Sequence, residues 1–161
     1  MFHLFKKKED RHVLSSPVKG KTVALKEVSD PTFGEEILGK GVAVIPADGK
    51  ICAPCDGEIQ MVFDTLHAVS MTADFGAEIL IHVGLDTVKL KGDGFKGHVK
   101  AGDHVKKGDL LLEADIEKIK SDGYDTVTPV VICNTPDYAS VEAVTGKEVE
   151  PGDEILSIEG K

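Results

Sequence analysis

Phe63-Asp-Thr-Leu-His-Ala-Val-Ser-Met71, Thr72-Ala-Asp-Phe-Gly-Ala77 and Glu78-Ile-Leu-Ile-His-Val-Gly-Leu-Asp86 follow one another without a gap, and the fold is read from them. In the third stretch Ile79, Ile81, Val83 and Leu85 alternate with Leu80, His82, Gly84 and Asp86. That period of two marks a strand whose two faces are both apolar, with His82 interrupting one of them. The first stretch reads as a second strand, and Asp74-Phe75-Gly76 between them as a tight reversal, so the pair forms a hairpin. A reversal between Asp74 and Phe75 sets His67 directly opposite His82. Opposed residues share a face with Cβ atoms about 4.5–5.5 Å apart, which lets both imidazoles converge on one small group, with Thr65 on the same face. A slip of one residue would send the two rings to opposite faces.

Turn signals recur at short intervals outward from this hairpin: Asp48-Gly49, Asp56-Gly57, Gly92-Asp93-Gly94, Gly102-Asp103, Gly108-Asp109, Asp122-Gly123, Thr145-Gly146 and Gly152-Asp153. Short runs rich in Val, Ile and Leu lie between them, the pattern of an all-β, antiparallel sandwich or barrel rather than of βαβ units. Helical pattern is confined to two brief pieces, near Thr32 to Leu38 and Asp115 to Lys120. Val105-Lys-Lys-Gly-Asp-Leu-Leu-Leu112 returns as Val149-Glu-Pro-Gly-Asp-Glu-Ile-Leu156, a weak internal repeat that places Gly-Asp between two strands each time. Glycine supplies the strained backbone of such a turn.

A chain of 161 residues is long enough to bury one core, so a single domain over 14–161 is expected, after a flexible N-terminal segment over 1–13. Its apolar runs are too short to cross a bilayer. The N-terminal Met-Phe-His-Leu-Phe-Lys-Lys-Lys lacks the long apolar centre of a secretory signal and suits at most a weak peripheral membrane contact. A formal charge of −9 disfavours nucleic acid and suits a basic partner. Three cysteines cannot all pair, and free thiols fit a reducing, cytoplasmic location.

The chemistry open to the histidines is narrow. There is no His pair at helical spacing for zinc and no Ser or Cys in a nucleophile elbow, which leaves a histidine nucleophile. Neutral imidazole offers one bare nitrogen lone pair that can attack phosphorus, provided the other nitrogen keeps its proton on an acceptor. The Gly84 carbonyl is a candidate acceptor for His82. The His67 ring can donate to phosphoryl oxygens where charge builds, with Thr65 fixing its tautomer. Cys52-Ala-Pro-Cys55 has the spacing of a redox pair but runs into Asp56-Gly57 and a strand rather than a helix, so structural cysteines are expected. His98 and His104 read as solvated loop residues and His12 as part of the terminus. Lys106-Lys107 does not have the setting of a modified carrier lysine.

Ala53-Pro-Cys-Asp-Gly57, Thr65-Leu-His-Ala68, Ile81-His-Val-Gly-Leu-Asp-Thr-Val88, Lys91-Gly-Asp-Gly-Phe95 and Thr128-Pro-Val-Val-Ile132 together resemble the glucose-type enzyme IIA family of the bacterial sugar phosphotransferase system, over roughly Leu14 to Ile158. The resemblance implies a flattened antiparallel barrel or sandwich built on a duplicated hybrid motif, the barrel-sandwich hybrid of biotinyl and lipoyl carriers. It implies a transferase component phosphorylated at His82 through Nε2, with His67 and Thr65 in support, Gly84 beside them and Asp86 needed for transfer and docking. It further implies donation by the phosphocarrier HPr, onward transfer to an enzyme IIB domain of an IIB/IIC sugar permease, and regulatory target proteins. Asp30, Phe33, Ile37, Leu38, Phe63, Leu80 and Val88 would form the partner-facing rim, although Leu80 and the Cys52/Cys55 doublet depart from the usual pattern. No cofactor is required, and His67 and His82 would hold zinc only across an interface where a partner supplies a further ligand. The alternative is a zinc-dependent peptidase of the same duplicated fold, which wants a His-x-His that this chain lacks.

Overall fold

The computed structural model describes residues 11–161. The expected membrane contact through Phe2, Leu4, Phe5, Lys6, Lys7 and Lys8, and His3 with it, lie outside the described residues. Strands, numbered in chain order, form one large sheet in the spatial order β13 (Glu148–Val149), β2 (Gly20–Val23), β3 (Lys40–Pro46), β11 (Thr128–Ile132), β7 (Glu78–His82), β6 (Ala68–Ala73), β5 (Gly57–Val62) and β9 (His104–Val105). Two smaller sheets flank it, one ordered β1 (Arg11–Ser15), β14 (Glu154–Gly160), β12 (Tyr138–Ala143) and the other β4 (Lys50–Cys52), β10 (Leu110–Ala114), β8 (Phe95–Gly97). Every pairing is antiparallel. The all-β architecture expected from the turn spacing is the one observed.

Two short α-helices lie among the described residues, α1 (Pro31–Gly34) and α2 (Ile116–Ser121). Asp30 caps α1, its carboxylate accepting the Thr32 N–H at 2.9 Å, and Pro31 presets the first turn. The helix ends earlier than its sequence pattern suggests, because Glu36 and Gly39 take positive φ of 57° and 141°. Ile37 and Leu38 therefore stand on a loop.

The repeat has a structural counterpart. Val105 lies in β9 at one edge of the large sheet and Val149 in β13 at the other. After each comes the same turn: Asp109 and Asp153 accept the Lys106 and Glu150 N–H groups at 2.9 Å, and Gly108 and Gly152 take φ of 92° and 105°. The chain then passes into β10 or β14, where Leu111, Leu112, Ile155 and Leu156 are buried.

Along β7, Ile79 and Ile81 enter the main core while Leu80 packs with a second cluster on the outer face, formed by Leu25, Val28, Phe33, Ala43, Val131 and their neighbours. Strands β3 and β11 alternate in the same way, Val42, Val44, Val130 and Ile132 against Ala43 and Val131. The centre of the sheet is covered on both sides, which is why these strands read as unbroken apolar runs.

One local expectation changes, and two gain detail. Ordered structure begins before residue 14, since Arg11, His12 and Val13 already pair with β14 and the His12 ring stacks on Phe75 at 4.1 Å. His98 and His104 are exposed, as expected, and each also meets a carboxylate, Glu113 at 2.7 Å and Asp74 at 3.2 Å. All three thiols are free, and burial pushes that of Cys55 up to about 12, the opposite of what a redox pair needs.

Leu156→Ala, at a fully buried position, is expected to lower unfolding free energy by about 2–5 kcal/mol in urea titrations. Ile37→Ala, at a position 68% exposed, should stay within about 0.5 kcal/mol of the parent protein.

Candidate active site

The reversal between β6 and β7 is centred on Phe75, half a residue beyond the centre expected from sequence, which shifts the pairing by one residue. Ala73 and Ala77 close a three-residue loop through the Ala73 N–H to the Ala77 carbonyl at 2.8 Å, with Gly76 at φ 104°. His82 therefore stands opposite Ala68, and the His67 carbonyl instead accepts the Val83 N–H at 2.7 Å. In a regular ladder this register would put the two rings on opposite faces. They nonetheless meet, with centroids 4.9 Å apart at 79°.

The reason lies in the chain before β6. Residues 63 to 67 are not strand, as read from sequence, but the loop that joins β5 to β6, closed by the Phe63 N–H to the Ala68 carbonyl at 3.0 Å. Leu66 turns through φ 60°, so His67 enters outside the pleat and its ring is turned toward His82. Thr65 sits on that loop with Oγ1 2.7 Å from His67 Nδ1.

Strand β7 ends at His82, and the chain folds back on itself at Gly84, φ 78°. A Cβ there would come within 2.6 Å of the Thr87 methyl and 2.8 Å of the Asp125 carbonyl, so the position admits only glycine without rearrangement. The fold-back brings the Gly84 carbonyl 2.7 Å from His82 Nδ1. A carbonyl only accepts, so Nδ1 carries the proton and neutral His82 has its lone pair on Nε2.

Phe33 from α1 lies against His82 at 5.0 Å and Phe63 against His67 at 5.3 Å, so four rings form a continuous row. Burial is the larger cause that lowers the His67 pKa to about 4, followed by repulsion from His82. Burial also lowers that of His82, against the opposing effects of the Gly84 carbonyl and of the Asp30 and Asp86 carboxylates. Both rings are neutral at pH 7. An adjoining cleft of about 460 Å³ is lined by Asp30, Asp86 and Asp125 among others. Asp125 escaped the sequence reading; its only signal there is its place just before the Thr128 strand, and the fold alone brings its carbonyl to the Leu85 N–H at 3.0 Å.

Of the residues expected on the rim, Val88 and Ile37 are 50% and 68% exposed and Leu38 is also open. Phe63 and Leu80 are half-buried. Phe33 is 4% exposed and lies beneath the surface, against His82. A separate cleft of about 470 Å³ runs past Ile37 and Leu38 toward β12 and contains neither histidine. No group of three His, Cys, Asp or Glu side chains among the described residues is placed to hold a metal, and nothing in the fold supports the peptidase alternative. No helix among them is long and apolar enough to cross a membrane.

Residues 12–138 match the family described as the phosphoenolpyruvate-dependent sugar phosphotransferase system, EIIA 1. The glucose-specific EIIA component of Oceanobacillus iheyensis is 43% identical over 155 residues, covering 95% of this chain and 94% of that protein. The β-glucoside-specific EIIBCA component of Bacillus subtilis is 44% identical over 148 residues, 92% of this chain but only 24% of that protein. The glucose permease IIA of Mycoplasma capricolum superimposes with a TM-score of 0.84 at 33% identity, covering 91% of this chain and 95% of that one. A two-sided antiparallel sheet carrying paired neutral imidazoles is thus the frame of a phosphocarrier in the sugar phosphotransferase system. The chain belongs to the EIIA 1 family of that system.

Because folding lowers both histidine pKa values from the ordinary 6.5, the unfolded chain binds more protons below that pH. The stability this contributes is complete above about pH 6.5 and declines as pH falls toward about 4. An NMR titration should place the His67 midpoint near 4, and His67→Gln should shallow the loss of stability across that window.

Proposed function

We propose that His82 is the residue that carries the phosphoryl group, accepting it on Nε2 from phospho-HPr and passing it to a cysteine of an enzyme IIB domain on the cytoplasmic side of a sugar permease. The observation that supports this most is the Nδ1 contact with the Gly84 carbonyl at 2.7 Å, which reserves Nε2 as the free lone pair. In the first transfer that lone pair bonds phosphorus as the donor's N–P bond breaks and its electron pair returns to the donor imidazole. In the second, a thiolate takes the phosphorus and the pair returns to Nε2.

His67 would stabilise the group in flight. If the Thr65 hydroxyl donates to Nδ1 across their 2.7 Å contact, the proton of neutral His67 resides on Nε2 and points a donor at the phosphoryl oxygens. Phe33 and Phe63 flank the pair and limit water, which protects the P–N bond. Ile37, Leu38 and Val88 offer exposed apolar surface for HPr, for IIB and for regulatory targets, while Asp30 and Asp86 suit a cationic side chain of the donor. A partner carboxylate beside the His82 Nε2 lone pair would make up most of a tetrahedral zinc site across such an interface, provided His67 moves its proton to Nδ1, with the Thr65 oxygen accepting it, and so frees its own Nε2.

Incubation with the general phosphotransfer enzyme, HPr and phosphoenolpyruvate should add one phosphate per chain by intact mass, with His82→Ala adding none. His67→Gln should still be phosphorylated but release to IIB about 10²–10³-fold more slowly. Phosphate on His82→Ala would overturn the assignment.

A further inference from the structure

Two consecutive peptide groups at the end of β7 are held at all four of their polar ends. In the Val83–Gly84 peptide, the carbonyl accepts from the Thr87 hydroxyl at 2.6 Å and the N–H donates to the Val127 carbonyl at 3.0 Å. In the Gly84–Leu85 peptide, the carbonyl accepts from His82 Nδ1 at 2.7 Å and the N–H donates to the Asp125 carbonyl at 3.0 Å. Three of these partners are backbone or the histidine itself. Thr87 is the one other side chain among the four.

Thr87 is fully buried and opens the 3₁₀ turn Thr87–Leu90. Its methyl occupies the space a side chain at position 84 would need, 2.6 Å from where that Cβ would be. Its hydroxyl reaches back over Gly84, the residue in the segment with the most freedom to rotate. Val83 is fully buried too, so without that hydroxyl its carbonyl has no water to turn to. The peptide can then rotate about Gly84 to find another donor, and such a rotation swings the adjoining Gly84 carbonyl away from His82.

We infer that Thr87 is a positioning residue for the phosphoryl acceptor: by holding the Val83 carbonyl, its hydroxyl fixes the Gly84 carbonyl in place and thereby the tautomer of His82. Thr87 touches neither the phosphoryl group nor His82 and acts through the peptide between them. The preceding His82–Val83 peptide ties the same segment to the backbone that carries the other ring, because the Val83 N–H donates to the His67 carbonyl at 2.7 Å. One hydroxyl thus steadies the frame on which both imidazoles are mounted. This inference rests on the reading of His82 as acceptor for its catalytic consequence, but not for its structural one.

The test compares Thr87→Val, which keeps the shape and removes the hydroxyl, with Thr87→Ser, which does the reverse. In the unphosphorylated protein, the ¹⁵N and Nδ1–H resonances of His82 should show a protonated, hydrogen-bonded Nδ1 in the parent and in Thr87→Ser, and a mixed tautomer with fast proton exchange in Thr87→Val. Phosphate acceptance from phospho-HPr should fall about 10- to 100-fold in Thr87→Val and recover to within about threefold in Thr87→Ser. If amide spectra show Thr87→Val to be unfolded, Thr87→Ala against Thr87→Ser supplies the same contrast. An unchanged His82 Nδ1–H signal in the folded variant that lacks the hydroxyl overturns the inference, as does a Thr87→Ser protein as impaired as Thr87→Val. The imidazole resonances are read without phosphate, so they stand whatever residue proves to carry it.

Discussion

The hydrogen bond from His82 Nδ1 to the Gly84 carbonyl depends on a strand that stops. Had β7 run on, Gly84 would have continued the pleat and its carbonyl would have joined a ladder. Instead the backbone takes φ 78° at Gly84 and 60° at Asp86, and the carbonyl is left facing the imidazole two residues back. Left-handed backbone costs any residue but glycine free energy of order 1 kcal/mol, so the surrounding bonds to Thr87, Val127 and Asp125 are what keep it. The free Nε2 lone pair of His82, its tautomer and the acidic cleft all descend from that one break in regular structure.

The break is tolerable because what lies behind it is rigid. Strands β3, β11 and β7 are covered on both faces, by the main core and by the smaller cluster around Phe33 and Val131. The histidines sit where the second cover ends, His67 buried and His82 half-buried beside it. Deeper placement would remove them from any partner, and full exposure would return their pKa values toward ordinary imidazole. The intermediate position gives a neutral ring, whose lone pair can attack, together with an approach for a second protein.

Duplication shapes the rest. The same Gly-Asp turn follows β9 and β13 at opposite edges of the large sheet and hands the chain to β10 and β14, the middle strands of the two smaller sheets. The two halves have diverged in their loops. Only one carries the histidine pair, so the repeat builds a scaffold and the chemistry is an addition to it.

Much of this was readable from residue order alone. Alternating Ile and Leu around His82, with Gly-Asp and Asp-Gly turns every few residues, define an antiparallel β protein because the pleat has a period of two and glycine marks positive φ, both local properties. Gly84 as the acceptor for His82 and Thr65 as the neighbour of His67 were likewise within two residues in the chain. The turn centre was not, since a two-residue and a three-residue reversal fit Asp-Phe-Gly equally well until Ala73 and Ala77 pair. Nor was the meeting of the rings: register alone would have parted them, and it is the loop through Leu66 that turns His67 back. Phe33 under His82 and the Asp125 and Val127 carbonyls behind Gly84 come from remote segments, brought there by burial of the whole sheet, which no local pattern encodes.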